Sequence, residues 1–178
     1  SLAPSRATFG RVFEHRWLSY RRSYRASLFS SFLLPVLFLA AMGVGLAQGA
    51  YDLALAYAKE RVQFGKPIGK FQAVSFRLAD MAVEIEAGRQ LVRRAAWLKD
   101  RGRPFALEAA MAKLYTGELS HRVVDAALQI HGGYGFVDEF PISRLYRDQK
   151  ILEIGEGTND VQRMVIARDE GAWIVRGA

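Results

Sequence analysis

The sequence predicts an all-α protein whose main body is an antiparallel four-helix bundle. Apolar residues recur at spacings of three, four and seven over long stretches, which is the pattern of helices with one buried stripe. Glycine and proline interrupt these stretches at only a few places, and no alternating strand pattern of any length is present. A chain of 178 residues can bury one good core. We therefore expect one bundle over residues 36–178, preceded by a separate extension over residues 1–35.

The extension is basic at first and then apolar. It holds six arginines and one glutamate, so most of the net charge of +7 lies there, and no charged residue occurs between Arg25 and Asp52. An uncharged run of this length is at the threshold for a membrane span, and the arginines would keep the N-terminus on the cytoplasmic side. Two interpretations stay open. Residues 28–48 associate with a membrane, or a helix from Val36 to Tyr57, with Pro35 in its first turn, is buried in the bundle.

The other helices follow in order along the chain. Residues 65–71 break the first helix, because they contain two glycines and a proline. A second helix is predicted from Gln72 to about Arg101, with a buried stripe made of Val74, Leu78, Met81, Ile85 and Val92. A third helix is predicted from Phe105 to about Ile130, and the glycines that follow it end it. A short helix around 141–150 and a last helix from about Thr158 to Arg168 complete the bundle.

The composition argues against several classes of site. The absence of cysteine excludes disulfides, thiolate metal sites and a cysteine nucleophile. The three histidines lack the spacing of a zinc site, so we expect no metal. A basic chain ordinarily suggests nucleic-acid binding. Here the arginines lie beside an apolar run, which indicates a membrane surface or a targeting segment, and we expect no nucleic-acid partner.

Two segments carry residues that packing alone does not require. Arg61, at the end of the first helix and next to a Gly/Pro loop, could reach a phosphate with a bidentate contact. The alternative is that Arg61 only complements the dipole of the helix C-terminus. Farther along, Gly132 and Gly133 would let a ligand approach bare backbone, and Gln129 could hydrogen-bond to that ligand. This stretch neither follows a strand nor opens a helix, so it is not a dinucleotide fingerprint.

A third segment places Glu156 between Gly155 and Gly157, just before the last helix. A carboxylate on such open backbone becomes a stronger base when a bound apolar ligand shields it from water. Thr158 and Asp160, in the first turn of that helix, offer oxygen atoms and backbone N–H groups to a cofactor. The alternative is that Glu156 only favours the positive end of the helix dipole.

Together, the order and spacing of these segments resemble the acyl-CoA dehydrogenase family. The likeness spans about residues 43–171. It rests on Arg-x-x-Phe-Gly-Lys-Pro-Ile from residue 61, Gln-Ile-x-Gly-Gly-x-Gly-Phe from residue 129, Tyr-Arg-Asp from residue 146 and Glu-Gly-Thr-x-x-x-Gln-Arg from residue 156. The resemblance implies a flavin enzyme that binds FAD and dehydrogenates an acyl-CoA thioester, with Glu156 as the catalytic base. It also implies contacts to FAD by Arg61, Gln63, Phe64, Gln72, Gln129, Gly132, Gly133, Thr158 and Asp160.

The same resemblance carries expectations about partners. In that family the C-terminal bundle packs against an N-terminal helical domain and a middle β-domain, for which this sequence has no counterpart. We therefore expect the lone chain to be incomplete as an enzyme and to have little or no activity without a chain that supplies those domains. The resemblance further implies self-association through the bundle and an electron-transfer flavoprotein or similar acceptor. The absence of cysteine permits a reducing cytoplasm, so we expect a cytoplasmic location, with membrane association as the alternative.

The start of the chain resembles a different family. Residues 11–45 are similar to the N-terminal lead and first membrane span of ABC-2-type transporter permeases. This likeness favours a second hypothesis, in which a chimeric permease/dehydrogenase chain is a non-catalytic helical bundle tethered to a membrane.

Overall fold

The computed structural model describes the backbone of residues 6–171 and the side chains of residues 33–171. Six helices occur in this part of the chain: α1 (Arg6–Glu60), α2 (Gln72–Asp100), α3 (Ala106–His131), α4 (Pro141–Asp148), α5 (Ile151–Ile154) and α6 (Asn159–Asp169). Two short 3-10 turns lie between these helices: Ile68–Lys70 precedes α2, and Gly132–Gly135 follows α3. The predicted all-α class is confirmed. The described residues add only an antiparallel pair of two-residue strands, β1 (Val62–Gln63) and β2 (Lys66–Pro67).

The chain divides into two compact units, one ending at Pro35 and the other starting at Val36. Helix α1 runs through both, and Pro35 lies inside it. The expectation that Pro35 occupies a first helical turn is therefore wrong. A proline in a helix interior lacks the N–H that would bond to the preceding turn, yet the helix continues on both sides. The predicted membrane segment begins at residue 28, and the side chains of residues 28–32 are outside the described part of the chain. The predicted bundle ends at residue 178, and residues 172–178 are outside it as well.

From Val36 onward, α1 packs into the bundle through small side chains. The buried alanines recur at helical spacing and are Ala40, Ala47, Ala50, Ala54 and Ala58. A Cβ atom on Gly43 would lie 2.9 Å from the carbonyl oxygen of Thr116 in α3. Because Gly43 has no side chain, the backbones of α1 and α3 come close together at this position.

Packing inside the bundle covers part of the apolar stretch of α1 that starts at Val36. One described helical stretch, Leu33–Glu60, is long and apolar enough to cross a membrane, with a mean hydropathy of 1.8. A core helix of a bundle meets the same criterion. Val36 and Leu37 are buried, as are the alanines that follow them. One side of residues 36–58 is therefore buried in the bundle, as the second interpretation expects, while Phe38 and Met42 are exposed.

Ion pairs between α2 and α3 show the relative direction of the two helices. Glu84 in α2 accepts from Arg122 in α3 at 2.7 Å, and Arg94 in α2 lies 3.3 Å from Glu108 in α3. Later residues of one helix thus face earlier residues of the other, so the two helices are antiparallel. Between them, the predicted stripe of α2 is buried at Leu78, Met81 and Ile85, while Val74 and Val92 are partly buried against the same core.

Helix α6 runs along α3 in the same direction as α3. Lys113 contacts Asn159, and five residues farther along α3 Glu118 forms an ion pair with Arg163. A parallel neighbour requires a long return connection, which here consists of residues 132–158 with α4 and α5 packed on α3. This connection carries two of the three segments singled out in the sequence.

Candidate functional site

A tight hairpin follows α1 and carries the first segment. The N–H of Arg61 donates to the carbonyl oxygen of Tyr57 at 2.8 Å, and the N–H of Ile68 donates to that of Arg61 at 2.8 Å. Between β1 and β2 the two turn residues, Phe64 and Gly65, have φ values of 52° and 78°. Two-residue turns with both φ values positive match the twist of a hairpin, but a phenylalanine adopts that conformation at a cost.

The guanidinium group of Arg61 lies over the ring of Tyr134, with 5.4 Å from its carbon to the ring centroid. Among the described residues no carboxylate forms an ion pair with it. A guanidinium remains charged under all ordinary conditions and prefers planar, bidentate acceptors such as phosphate. The charge of Arg61 is therefore available to a ligand.

The second segment forms the end of α3 and the turn after it. His131 is buried, donates from Nδ1 to the carbonyl oxygen of Ala127 at 2.8 Å, and stacks on Tyr57 with 4.5 Å between ring centroids. These contacts are those of a structural residue. Gly132 leaves the helix with φ of 60°, and open space lies where a side chain on Gly132 or Gly133 would be. A ligand can therefore approach the backbone at these two glycines.

These two segments meet in one pocket of about 810 Å³ that is open to solvent. The pocket is lined by Tyr57, Arg61, Gln63, Ile68, Ile130, His131, Gly132, Gly133, Tyr134, Val137, Glu139 and Phe140. Of the predicted cofactor-binding residues, the pocket brings together Arg61, Gln63, Gly132 and Gly133. Phe64, which is 91% exposed, and the exposed Gln72 and Gln129 do not line it. A cation, bare backbone and aromatic rings converge here, which is chemistry suited to a phosphate and a flat ring system.

The third segment is the loop between α5 and α6, residues 155–158, hereafter the Glu156 loop. Glu156 is exposed and has a φ of 51°, a left-handed conformation that is costly for a residue with a Cβ. Gly157 follows with φ of 87°, and a Cβ on Gly155 would lie 3.0 Å from the carbonyl oxygen of Ile151. Strained backbone of this kind persists only where the surroundings impose it, and it concentrates at functional sites.

Side chains of α6 hold the loop from one side. The buried Gln162 donates from Nε2 to the carbonyl oxygens of Glu156 at 3.3 Å and Gly157 at 3.2 Å. Thr158 caps α6, because its hydroxyl accepts from the N–H of Val161 at 3.3 Å. Asp160 is exposed and lies 3.1 Å from Arg163. Thr158, the last residue of the loop, and Asp160 thus lie at the start of α6, as predicted, and outside the pocket.

Lys113 supports the loop from the other side, and sequence reasoning missed it. It is 1% exposed and donates from Nζ to the carbonyl oxygen of Glu153 at 2.9 Å and to Oδ1 of Asn159 at 2.9 Å. Burial lowers the pKa of Lys113 to about 8, and the nearby Glu153 carboxylate offsets part of that effect. The available signal was a lone lysine between alanine and leucine on a helix whose buried face, apart from His131 at its end, is otherwise small or apolar.

The chain is similar in sequence to known proteins. Residues 37–170 match the family described as "Acyl-CoA dehydrogenase, C-terminal domain". The chain is 58% identical over 130 residues to a protein of Bacillus subtilis named "Probable acyl-CoA dehydrogenase YngJ", covering 73% of this chain and 34% of that one.

Solved structures show the same fold. Butyryl-CoA dehydrogenase from Megasphaera elsdenii superposes with a TM-score of 0.77 at 47% identity, over 78% of this chain and 36% of that one. A structure titled "PigA with FAD and proline" superposes with a TM-score of 0.77 at 36% identity, over 83% and 38% respectively. The chain spans about a third of the length of the relatives it matches. It belongs to the acyl-CoA dehydrogenase family, of which it carries the C-terminal helical domain.

Proposed function

We propose that this chain is the helical-bundle part of a FAD-dependent acyl-CoA dehydrogenase, in which Glu156 is the catalytic base. The observation that carries the proposal is the conformation of Glu156, exposed and left-handed between two glycines. Strained backbone of this kind concentrates at functional sites, whereas a carboxylate that serves only a helix dipole has no need of it. The family and the site chemistry support the same assignment.

The pocket residues fit part of a bound FAD. Arg61 would bind its phosphates, the backbone at Gly132 and Gly133 would approach its adenosine half, and Tyr134 offers an aromatic face. FAD, when bound, supplies the acceptor for the hydride that leaves the acyl chain. The remaining proposed contacts lie outside the pocket and would reach other parts of the cofactor or the cofactor of a neighbouring subunit. They are Phe64, Gln72, Gln129, Thr158 and Asp160.

Glu156 would act on the carbon next to the thioester carbonyl. One carboxylate oxygen takes the α-proton, and its protonated form releases that proton after the unsaturated product leaves. The backbone N–H of Glu156 would donate to the thioester carbonyl oxygen, which makes the α-proton more acidic. Glutamine in place of Glu156 keeps the shape and removes the base.

The partners follow from the family and from the length of the chain. Because it spans about a third of its relatives, we propose that flavin chemistry requires N-terminal and middle domains from a longer chain or a partner chain. The electrons would then pass to an electron-transfer flavoprotein or a similar acceptor, and self-association would occur through the bundle. We propose a cytoplasmic location. Membrane attachment through residues 28–48 is a minor alternative, because Val36 and Leu37 are already buried in the bundle.

A FAD titration tests the proposal at the level of this chain. We expect FAD fluorescence to be quenched on binding, and Arg61→Ala to weaken binding at least tenfold because a phosphate contact is lost. Arg77→Ala is the matched control, since Arg77 is exposed on α2 and outside the pocket. Equal binding by the Arg61→Ala and Arg77→Ala variants would contradict the assignment of the pocket.

A further inference from the structure

Lys113 is a buried cation at the centre of the bundle. Its side chain is 1% exposed, and its two hydrogen-bond acceptors are the backbone carbonyl of Glu153 and the side-chain oxygen of Asn159. Burying a charge is costly unless it is well hydrogen-bonded, and an apolar side chain of similar length would fill the same volume without that cost. The position therefore calls for an explanation beyond packing.

The two acceptors lie at opposite ends of the Glu156 loop. Glu153 belongs to the last turn of α5, and Asn159 is the first residue of α6. The ammonium group of Lys113 thus donates one hydrogen bond to a residue before Glu156 and one to a residue after it. Glu156 adopts its left-handed conformation between these two residues. Gly117, one turn farther along α3, makes the approach possible, because a Cβ there would lie 3.0 Å from the carbonyl oxygen of Leu152 and 3.1 Å from Oδ1 of Asn159.

We propose that Lys113 is a positioning residue: by donating one hydrogen bond to each end of the Glu156 loop, it holds the backbone that presents the Glu156 carboxylate. Because it is buried, it is shielded from a bound ligand and acts through Glu153 and Asn159. The catalytic part of this statement rests on the proposed function, in which Glu156 is the base.

Hydrogen exchange on the intact chain tests the anchoring directly. In Lys113→Met we expect the hydrogen-bonded amides at the two ends of the loop, those of Gly155 and Gln162, to exchange at least tenfold faster, while amides in the middle of α2 stay within twofold of the wild type. Lys150→Met is the matched control, because Lys150 is exposed and contacts the side chain of Glu153 instead of its backbone. This control is expected to leave the loop within twofold of the wild type.

Two variants at Asn159 keep the test decisive if Lys113→Met does not fold. Asn159→Ala removes one acceptor and is expected to speed exchange in the loop, whereas Asn159→Asp keeps an acceptor oxygen and is expected to retain slow exchange. Unchanged protection of the loop in Lys113→Met or Asn159→Ala overturns the proposal. Equally fast exchange throughout the bundle overturns it too, because Lys113 would then be a general core residue.

A kinetic test separates this inference from the proposed function. In a flavin enzyme that carries this domain, Lys113→Met is expected to lower kcat at least tenfold with KM within threefold, because a small misplacement of a catalytic group costs rate. An unchanged kcat in a variant with a loosened loop overturns the positioning role. Hydrogen exchange reports backbone protection without turnover, so the anchoring would still be observed if Glu156 were not the base.

Discussion

The ammonium group of Lys113 lies 2.9 Å from Oδ1 of Asn159, 46 residues away in the sequence, in the buried interior of the bundle. This contact joins α3, the central helix, to the first residue of α6. It also brings the segment that carries Glu156 against the most deeply buried part of the fold. The geometry of the Glu156 loop is therefore set by contacts with the core of the bundle.

The buried lysine gives the chain a distinctive dependence on pH. The pKa of Lys113 is about 8 in the folded chain, below its ordinary value of 10.5. Between these two values the unfolded chain binds more protons than the folded chain, so the free energy of unfolding rises with pH through this window. Below about pH 8 the cost of burying the charge is fully present. Urea unfolding at pH 7.5 and pH 10 measures the effect.

Lys113→Met is the control for that dependence. The variant has no ionisable group at this position, so its free energy of unfolding should rise less between pH 7.5 and pH 10 than that of the wild type. Equal pH dependence in the two proteins would show that Lys113 titrates at its ordinary value.

Two glycines of α1 should respond in opposite directions to alanine. A Cβ on Gly43 would lie 2.9 Å from the backbone oxygen of Thr116, whereas a Cβ on Gly45 meets nothing within 4 Å. Gly43→Ala is expected to destabilise the bundle by about 1–3 kcal/mol through overpacking. Gly45→Ala should stabilise it by about 0.5–1 kcal/mol, because alanine favours the helix. Chemical denaturation measures both, and a loss of stability in Gly45→Ala would contradict the packing of α1.

The strain at Glu156 predicts a trade between stability and activity. Its φ of 51° suits glycine, so Glu156→Gly is expected to raise the free energy of unfolding by about 0.5–1 kcal/mol. Glu156→Ala removes the same carboxylate but keeps a Cβ, and it should give no such gain. Thermal unfolding of the pair distinguishes backbone strain from the effect of the charge. Equal stability of the two variants would mean that the loop is not strained.

The hairpin after α1 offers a second test of the same physics. Phe64 has a φ of 52° at the first turn position and is 91% exposed. Among residue types, asparagine is second only to glycine in tolerating this conformation. Phe64→Asn is therefore expected to stabilise the chain by about 0.5–1 kcal/mol. Phe64→Ala keeps the strained backbone and is the control. A gain of the same size in Phe64→Ala would show that removal of the exposed ring, and not the turn, is responsible.

Local patterns predicted the helices well and the site partly. The spacing of Leu78, Met81 and Ile85 gave α2 its buried face, and the glycines after His131 ended α3 where expected. The segments around Arg61 and Glu156 stood out because they carry residues that packing alone does not require. These features depend on neighbours within one or two turns of the chain, which periodicity and turn chemistry capture.

The remaining features depend on contacts between distant segments. Sequence reasoning did not predict that α6 runs parallel to α3, because that direction is set by the whole return connection. It also missed Lys113, since a lysine on a helix is ordinarily at the surface and only the approach of Glu153 and Asn159 makes burial possible. The left-handed conformation of Phe64 was likewise hidden, because phenylalanine carries no signal for it.

The most direct test of the central claim is reduction of bound flavin by acyl-CoA in a complete enzyme. Residues 36–171 would replace the corresponding domain of the Megasphaera elsdenii butyryl-CoA dehydrogenase, and loss of flavin absorbance would be followed after butyryl-CoA is added. We predict reduction by the parent graft, a rate about 10²–10⁴ times lower for Glu156→Gln, and no change for the exposed control Glu170→Gln. Reduction of the flavin in Glu156→Gln at the parent rate would contradict the assignment of Glu156 as the base.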